Sequence, residues 1–386
     1  VSIDRVNKCL GIVVPNDEIL KIMTNLCFEP VIDGDNLKLM VPAYREDVET
    51  YQDIAEEVIR MYGYEHVVPA FMPSAQVTIG GLNQVQKTEL RLKKALCSAG
   101  AYECIHYSFF SPSDLNLLKF PEDAPERHAI RIMNPISEEL SLMRTTLAAS
   151  MVNAIARNQK KGNLAGRLFE IGNVYMPYEL PLSQYPDEKA RLCVGIFGEN
   201  ESFYTMKGLA EKIADTLHVT FEYEAMSNTF LHPYQTAKVL CEGNEIGYFG
   251  KLAYDIADAK DLRTPAFVME LDLKVLSQWY DKKAVFTPLP KFPEESRDLA
   301  LVADRNITCG EIEKVMKEAC KYISKITLFD IYEGEQIAAD KKSMAFTVVF
   351  TPKNEAFTAE SVDGYVKKIP VYASDGKKVI GVFFIK

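Results

Sequence analysis

The chain has 386 residues, of which 47% are hydrophobic and 25% charged, and its formal net charge at pH 7 is −10. This length suits two or three domains of an ordinary globular protein. The acidic balance excludes a surface that attracts nucleic acid everywhere, so any such contact would need local basic patches. The longest apolar run, residues 379–385, contains Gly381 and is too short to cross a bilayer, so we expect no membrane partner.

Eight cysteines are scattered along the chain without a Cys-x-x-Cys pair, and the five histidines lie far apart. Scattered thiols are typical of a reducing compartment and not of a disulfide or zinc framework. We therefore expect a cytoplasmic protein.

The first seventy residues predict a small domain. Asn16 or Asp17 can cap a helix over residues 18–27. The sequence Asp33-Gly34-Asp35 predicts a turn, followed by a short strand over residues 38–41. Helices with a small strand pair are typical of a winged-helix-like module, although such an architecture does not by itself give a function.

A second helix is predicted over residues 50–62. Thr50 is a good N-cap, Asp53 follows three residues later, and Gly63 stands where a helix commonly stops. Apolar residues recur at helical spacing and predict one buried face, made of Ile54, Val58, Met61 and Tyr62.

Four carboxylates lie on or just before this helix, at Asp47, Asp53, Glu56 and Glu57. One interpretation is a solvated acidic face that suits the positive end of the helix dipole. The other is a magnesium site, since Mg²⁺ prefers oxygen ligands and often takes only one or two carboxylates with waters. The spacing alone favours the solvated face, because acidic residues are common in first turns.

Residues 71–82 contain two prolines and Gly80-Gly81, and they predict a linker to a second domain at residues 83–282. The predicted helices of that domain are residues 83–98, 147–159 and 207–217. Its predicted strands are residues 101–110, 130–133, 167–175, 191–198, 219–223, 236–241, 246–251 and 268–273. Long helices beside mostly extended runs indicate an α+β domain with a large antiparallel sheet.

Residues 286–386 predict a third domain in the order strand, helix, strand, strand, helix, strand, which is the ferredoxin-like order. The predicted elements are the strand 297–303, the helix 309–324, the strands 326–332 and 343–351, the helix 358–368 and the strand 379–385. The sequence as a whole therefore predicts a multidomain α+β protein.

Four lysines follow helical spacing near the first helix of this domain, at Lys314, Lys317, Lys321 and Lys325. They could form a stripe that contacts RNA phosphates. They could equally be the solvated side of an ordinary amphipathic helix, and the chain alone favours this second interpretation.

Two segments around the acidic helix resemble a known family. They are Pro42-Ala-Tyr-Arg45-Glu-Asp47 and Asp53-Ile-Ala-Glu56-Glu57-Val-Ile-Arg60-Met-Tyr-Gly63-Tyr. Both are similar to the bacterial-type phenylalanyl-tRNA synthetase beta subunit, which has P-x-x-R-x-D followed by D-(L/I)-x-E-E-V-x-R-x-Y-G-Y. The resemblance implies that the matching carboxylates, Asp47, Asp53, Glu56 and Glu57, are associated with Mg²⁺.

Further motifs of the same family follow in the same order. Those that resemble its class II synthetase-like core are Asn134-Pro-Ile-Ser137, Met143-Arg144-Thr-Thr-Leu147, Leu168-Phe-Glu-Ile-Gly172-Asn-Val-Tyr175, His232-Pro233 and Gly247-Tyr-Phe-Gly250. The segment Leu328-Phe-Asp-Ile-Tyr-Glu-Gly334 resembles its carboxy-terminal anticodon-binding-like domain. The chain departs from the family where P-G is replaced by Ala149-Ser150 and where the later H-P gives way to Ala253-Tyr254.

We assign no catalytic residue to this core. Joining a carboxylate to the α-phosphate of ATP needs fixed positive charge. Catalytic relatives read G-x-V-Y-R where this chain has Met176 after Tyr175, so that arginine is missing. Arg144 is either a retained ligand contact or a structural arginine paired with a carboxylate such as Glu170, and we favour the second because structural ion pairs are common.

The resemblance thus implies the carboxy-terminal part of a phenylalanine–tRNA ligase beta subunit. The expected reaction is ATP-dependent attachment of phenylalanine to tRNA, with the chemistry on the alpha subunit of an α₂β₂ assembly and this chain alone inactive. The expected partners are that alpha subunit and tRNA(Phe), the expected cofactor is Mg²⁺, and ATP is a substrate of the holoenzyme. The alternative is a synthetase-like RNA- or protein-binding scaffold without ligase activity.

Overall fold

The computed structural model describes residues 1–70, 80–334, 337–353, 355–367, 369 and 382–384. The chain divides into two compact units, Val1–Asn83 and Gln84–Lys386. Most of the predicted linker, at residues 71–79, lies outside the described residues. The predicted three-domain boundaries therefore stay a prediction. Every helix in the described ranges is too short or too polar to span a lipid bilayer.

The described residues of the first unit form three α-helices, a two-stranded hairpin and a short 3-10 helix at Tyr64–His66. Its elements are α1 (Ile3–Leu10), α2 (Asn16–Asn25), β1 (Val31–Asp33), β2 (Asn36–Lys38) and α3 (Tyr51–Tyr62). The hairpin pairs Asp33 with Asn36 across the predicted turn. Apolar side chains from all three helices and β2 form one core, which includes Val6, Met23, Leu37 and Val58. Helix α1 was not predicted from the sequence, whereas the predicted helix at 50–62 is confirmed within one residue.

The second unit contains the remaining elements. Its helices are α4 (Gln84–Ser98), α5 (Pro112–Leu117), α6 (Ala148–Lys160), α7 (Phe203–Leu217), α8 (Tyr254–Ala259), α9 (Leu273–Leu276), α10 (Cys309–Ala319) and α11 (Ala359–Val366). Its strands are β3 (Tyr102–Glu103), β4 (Phe109–Phe110), β5 (Leu142–Met143), β6 (Gly166–Met176), β7 (Asp187–Phe197), β8 (Phe221–Ala225), β9 (Leu231–Cys241), β10 (Asn244–Leu252), β11 (Ala266–Asp272), β12 (Glu295–Asp304), β13 (Ile323–Tyr332), β14 (Lys341–Phe350) and β15 (Val382–Phe384).

A seven-stranded sheet in the order β3-β6-β7-β11-β10-β9-β8 forms the centre of this unit. All its neighbouring strands are antiparallel except β3 and β6. Helices cover both faces. Residues of α4 and α7 pack on one face with Leu192 and Val194, while α6 packs on the other face with Cys193 and Phe197. This alternation along β7 follows from the two-residue period of a strand. The predicted large antiparallel sheet is confirmed.

The carboxy-terminal elements form a four-stranded antiparallel sheet in the order β13-β14-β12-β15. Its core side packs against α10 and α11 through residues such as Leu301, Ile312, Phe346 and Val362. The predicted ferredoxin-like arrangement and the mixed α+β class are both confirmed.

Four predicted elements differ from the structure. The predicted strand 38–41 is replaced by β2, which ends at Lys38 because its pairing with β1 stops there. The predicted strand 101–110 is broken into β3 and β4, and residues 130–133 form only an isolated bridge at Arg131. The predicted helix 309–324 ends at Ala319, because Cys320 is already extended and its buried side chain joins the core. Parts of the predicted strand 379–385 lie outside the described residues, and Val382–Phe384 is a strand.

Gly247 on β10 is a position where the fold depends on glycine. Its φ is +148°, a conformation that other residues rarely adopt, and a Cβ there would meet the carbonyl oxygen of Glu270 and lie 2.9 Å from Cα of Leu271.

We predict that Gly247→Ala lowers the free energy of unfolding by about 2 kcal/mol or more. Urea unfolding measures this change. Gly208→Ala is the control, because a Cβ on that helical residue meets open space and should be neutral or stabilising. Equal losses of stability in the two variants would contradict the prediction.

Candidate functional site

Arg45 organises the acidic residues of the first unit. Its guanidinium donates to Asp47 Oδ1 at 2.9 Å from Nε and to Asp47 Oδ2 at 2.7 Å from Nη2. It also donates to Glu57 at 3.1 and 2.9 Å. Arg60 Nη2 reaches the same Glu57 carboxylate at 2.5 Å. The arrangement is a charged network in which two arginines hold one buried carboxylate and one exposed carboxylate.

The pKa values follow from these contacts. Hydrogen bonding from Arg45 lowers the pKa of Glu57 despite the opposing effect of burial, and it lowers the pKa of Asp47 as well. The backbone N–H of Thr50, at 2.6 Å, lowers the pKa of Asp53. All three groups are thereby held in the charged form.

The four predicted metal ligands thus lie in three different environments. Asp47 and Glu57 are bound to Arg45, Asp53 caps the start of α3, and Glu56 is exposed on the opposite side of the helix from the core. In the part of the chain that the structure describes, no group of three or more His, Cys, Asp or Glu side chains is placed to hold a metal ion. The guanidinium of Arg45 engages Asp47 and Glu57, so these two carboxylates could bind Mg²⁺ only if Arg45 moved away. The magnesium association of the four residues stays a prediction.

A second charged cluster is buried in the seven-stranded sheet unit. Arg144 Nη1 donates to Glu170 Oε1 at 2.8 Å, and Arg144 Nε donates to the Asn173 carbonyl at 2.8 Å. His106 Nδ1 lies 2.6 Å from the other oxygen of Glu170. Arg144 and Glu170 are only 3% and 2% exposed. The predicted pairing of Arg144 with Glu170 is confirmed.

This pair has a fixed position because the backbone leaves room for it. A Cβ at residue 172 would collide with Arg144 Nη2, so a larger residue there would displace the guanidinium from its present position. Burial by itself would raise the pKa of Glu170, but His106 and Arg144 outweigh burial and lower it. The carboxylate therefore stays ionised beside a permanently charged arginine.

The sheet face that carries Met176 is filled with apolar side chains. Val174, Phe197 and Val268 are fully or almost fully buried against α6, and Met176 packs on the same cluster. The position of the missing arginine is thus a packing position.

Sequence reasoning missed Glu270, which is 1% exposed. Its Oε2 accepts a hydrogen bond from Thr146 at 2.6 Å and from the Ala148 backbone N–H at 3.1 Å. These bonds place a carboxylate at the amino-terminal end of α6, where the helix dipole favours negative charge. Because Thr146 and Glu270 are 124 residues apart, no local pattern could have revealed the contact.

The four predicted RNA-contacting lysines do not form one stripe. Lys314 and Lys317 lie on α10, whereas Lys321 and Lys325 follow its end. The prediction that all four lie on one helical face was therefore wrong, because α10 stops five residues before the predicted end at residue 324. All four side chains are exposed. Their contact with RNA stays a prediction.

Comparison with known proteins gives three matches in consecutive order along the chain. Residues 1–64 match the tRNA synthetase B5 domain, residues 68–273 match the phenylalanyl tRNA synthetase beta chain CLM domain, and residues 290–376 match the ferredoxin-fold anticodon binding domain. The chain belongs to the phenylalanyl-tRNA synthetase beta chain family.

Similar curated proteins agree with this assignment. The phenylalanine–tRNA ligase beta subunit of Clostridium tetani is 33% identical over 373 residues, which are 96% of this chain and 47% of that protein. The corresponding subunit of Bacillus subtilis is 30% identical over 374 residues, which are 94% of this chain and 46% of that protein. The chain therefore spans about half the length of the curated relatives it matches.

A solved structure of pyrrolysyl-tRNA synthetase from Desulfitobacterium hafniense is similar over 68% of this chain and 89% of its own. The TM-score is 0.42 and the sequence identity is 16%. The family assignment rests on the sequence matches alone.

We predict that Glu57→Gln lowers the free energy of unfolding by about 2 kcal/mol at pH 7, because Arg45 and Arg60 then lose the charge between them. The pKa of Glu57 is lowered in the folded state. The ionised Glu57 therefore stabilises the fold fully at pH values above its pKa in the unfolded chain, about 4.3. This stabilisation is lost as the pH falls through the lower pKa of the folded chain. The free energy of unfolding that Glu57→Gln loses relative to the parent chain should therefore be smaller near pH 3 than at pH 7.

Glu56→Gln is the matched control, since that exposed carboxylate should contribute little at either pH. A Glu57→Gln deficit of the same size at both pH values would contradict the charge-based explanation. Adding MgCl₂ tests the magnesium association at the same carboxylates. A rise in the melting temperature that Glu57→Gln abolishes would show that Mg²⁺ displaces Arg45.

We also predict that Arg144→Met destabilises the chain by about 3 kcal/mol, because Glu170 would stay buried without its arginine. Arg131→Met is the control: Arg131 pairs with Glu138 at the surface, and exposed pairs contribute less than about 1 kcal/mol. Thermal unfolding of the two variants measures the difference. Similar melting temperatures would mean that the Arg144 pair is solvated in solution.

Proposed function

We propose that this chain is the carboxy-terminal, non-catalytic part of a phenylalanine–tRNA ligase beta subunit. The observation that carries the proposal is the order of the three family matches along one chain. The ligase would join phenylalanine to tRNA in two steps, in which the carboxylate first displaces pyrophosphate from ATP and tRNA then displaces AMP. Since the chain matches only about half of its relatives, this reaction belongs to the assembled enzyme.

The catalytic groups are proposed to lie on a separate alpha subunit. Adenylate formation needs positive charge that is free to contact the α-phosphate. In this chain Arg144 is engaged by Glu170, and Met176 stands where catalytic relatives carry an arginine. We propose that the core, whose sheet face is fully packed, contributes an interface with the alpha subunit. The proposed assembly is α₂β₂, and this chain is inactive alone.

The second partner is proposed to be tRNA(Phe), in the cytoplasm where proteins are made. The ferredoxin-fold domain supports this proposal because its family is described as anticodon-binding. Contacts by Lys314, Lys317, Lys321 and Lys325 are part of the proposal, now as two separate pairs of exposed cations.

ATP and Mg²⁺ are proposed as substrate and cofactor of the assembled ligase. A magnesium association of Asp47, Asp53, Glu56 and Glu57 remains a proposal that requires a rearrangement. Arg45 would have to release Asp47 and Glu57 before either could bind the ion. No step of the reaction is assigned to that site.

The proposal predicts activity only in the complex. Mixing this chain with the alpha subunit of a related bacterial ligase should give a stable heteromer that exchanges pyrophosphate into ATP when phenylalanine is present. The chain alone should show no exchange. Mass measurement in solution and the exchange assay test both statements.

Two results would contradict the proposal. Exchange by the isolated chain would place catalysis here. A heteromer that never forms, even with the chain extended to the full length of its relatives, would favour the alternative of an RNA- or protein-binding scaffold without ligase activity.

A further inference from the structure

A cavity with basic walls lies beside α6 in the second unit. Its volume is about 750 Å³, within the ~300–1,000 Å³ typical of small-molecule sites. Four cations line it, namely Arg157 and Lys160 of α6 and Lys260 and Arg263 of the segment after α8. Asp261 is the one carboxylate of the lining. We call this space the cationic cavity.

These four side chains have no carboxylate partner within the described ranges. Arg157, Lys160 and Arg263 are exposed, and Lys260 is half-buried. The carboxyl ends of α6 and α8 add at most about half a negative charge each. The cations therefore outweigh the negative groups, in a chain whose net charge is −10. Such a local excess attracts an anion.

The two walls of the cavity are fixed to each other by Gln159, whose side chain is fully buried. Its Oε1 accepts hydrogen bonds from the backbone N–H groups of Arg263 at 2.6 Å and Thr264 at 3.1 Å. The hydroxyl of Thr264 donates to the Leu164 carbonyl at 3.0 Å. This anchoring fixes the backbone of the two walls relative to each other, whereas the exposed cationic side chains lose conformational freedom when an anion binds.

A second cavity of about 750 Å³ adjoins the first and shares Asn153 and Arg157 with it. Aromatic and aliphatic side chains line much of it, including Tyr107, which is 69% exposed, and Phe109. We call it the aromatic cavity. An exposed ring beside a basic groove is the combination that binds nucleotides, because the ring stacks on a base while cations hold its phosphate.

The charges of the aromatic cavity set the orientation of such a ligand. Its lining includes Glu139, which is exposed, and Asp114, which accepts a hydrogen bond from Asn153 at 2.8 Å. These carboxylates repel a phosphate from the aromatic cavity, so the phosphate belongs among the cations.

We propose that the two adjoining cavities bind one nucleotide unit, with its phosphate among Arg157, Lys160, Lys260 and Arg263 and its base against Tyr107. The unit comes either from an RNA strand or from a free nucleotide, which share this chemistry. The site goes beyond the proposed function, which leaves ATP to the alpha subunit and places the tRNA contacts on the lysines of the carboxy-terminal elements.

Fluorescence anisotropy with a labelled hexa-adenylate RNA tests the site on the full 386-residue chain at low ionic strength. The variant changes Arg157, Lys160, Lys260 and Arg263 to Gln. We expect its affinity to fall at least tenfold. Its salt slope, log K against log salt, should become less steep by about 0.7 for each phosphate that the variant no longer neutralises.

The matched control changes Lys274, Lys282, Lys283 and Lys291 to Gln, which removes the same charge from exposed positions elsewhere. It should change affinity less than about threefold, since those lysines lie outside both cavities. A second pair of variants tests the base. Tyr107→Ala should weaken the binding of the RNA but not of an abasic hexamer, whereas Tyr185→Ala should change neither.

Competition with unlabelled ATP identifies the source of the nucleotide. Displacement of the RNA by ATP supports a free nucleotide, and the absence of displacement supports an RNA strand. Either result upholds the site when the two fourfold variants differ.

Three results overturn the proposal: no RNA or ATP binding by the parent chain, equal affinities of the two fourfold variants, or loss of alpha-subunit association with nucleotide binding intact. The last would show that the cations contact an acidic protein surface. Pyrophosphate exchange by the heteromer should be unchanged in the variant, so a failed nucleotide site leaves the proposed function standing.

Discussion

Burial of both faces of the seven-stranded sheet is the constraint on which the second unit depends. A strand such as β7, apolar on both sides, must be covered twice. Helices α4 and α7 cover one face and α6 covers the other. The position of α6 then determines which sheet face is filled and where the cationic cavity lies. Its inner side packs on the sheet face that carries Val174 and Met176, and its outer side supplies two cations of the cationic cavity.

Polar residues within this apolar packing are held by specific partners. Glu270 anchors the amino-terminal end of α6, and Gln159 anchors the chain segment beside its carboxy-terminal end. Arg144 and Glu170 neutralise each other between strands. A buried charge without a partner would be costly, so each of these residues is fixed in place by the ones it contacts. The same principle operates in the first unit, where Arg45 and Arg60 surround Glu57.

The hydrogen bonds of Arg144 are used within the protein. An arginine that contacts a substrate phosphate must have hydrogen-bonding capacity to spare. Arg144 uses its Nε on a backbone carbonyl and an Nη on Glu170, so its charge stabilises the protein. Met176 continues the same apolar packing.

Local sequence patterns determined the elements and the family. Helical spacing located α3, α6 and the end of α7 within a residue or two, and the order of strands and helices predicted the ferredoxin-like domain. The pairing of Arg144 with Glu170 was also predicted. Long motifs were specific enough to indicate the phenylalanyl-tRNA synthetase beta chain family, which the comparisons confirmed.

Tertiary structure decided which side chains meet. Sequence spacing put Asp47, Asp53, Glu56 and Glu57 in one acidic group. In the structure Arg45 binds two of them, Asp47 and Glu57, because the fold brings all three side chains together. Spacing also put four lysines on one helix, but the chain turns at Cys320 where burial of that side chain outweighs helix continuation. Two further features involve segments that are distant in the sequence. Thr146 donates a hydrogen bond to Glu270, and Arg157 and Arg263 line the same cavity. Periodicity reports only neighbours along the chain, whereas packing of the sheet brings these residues together.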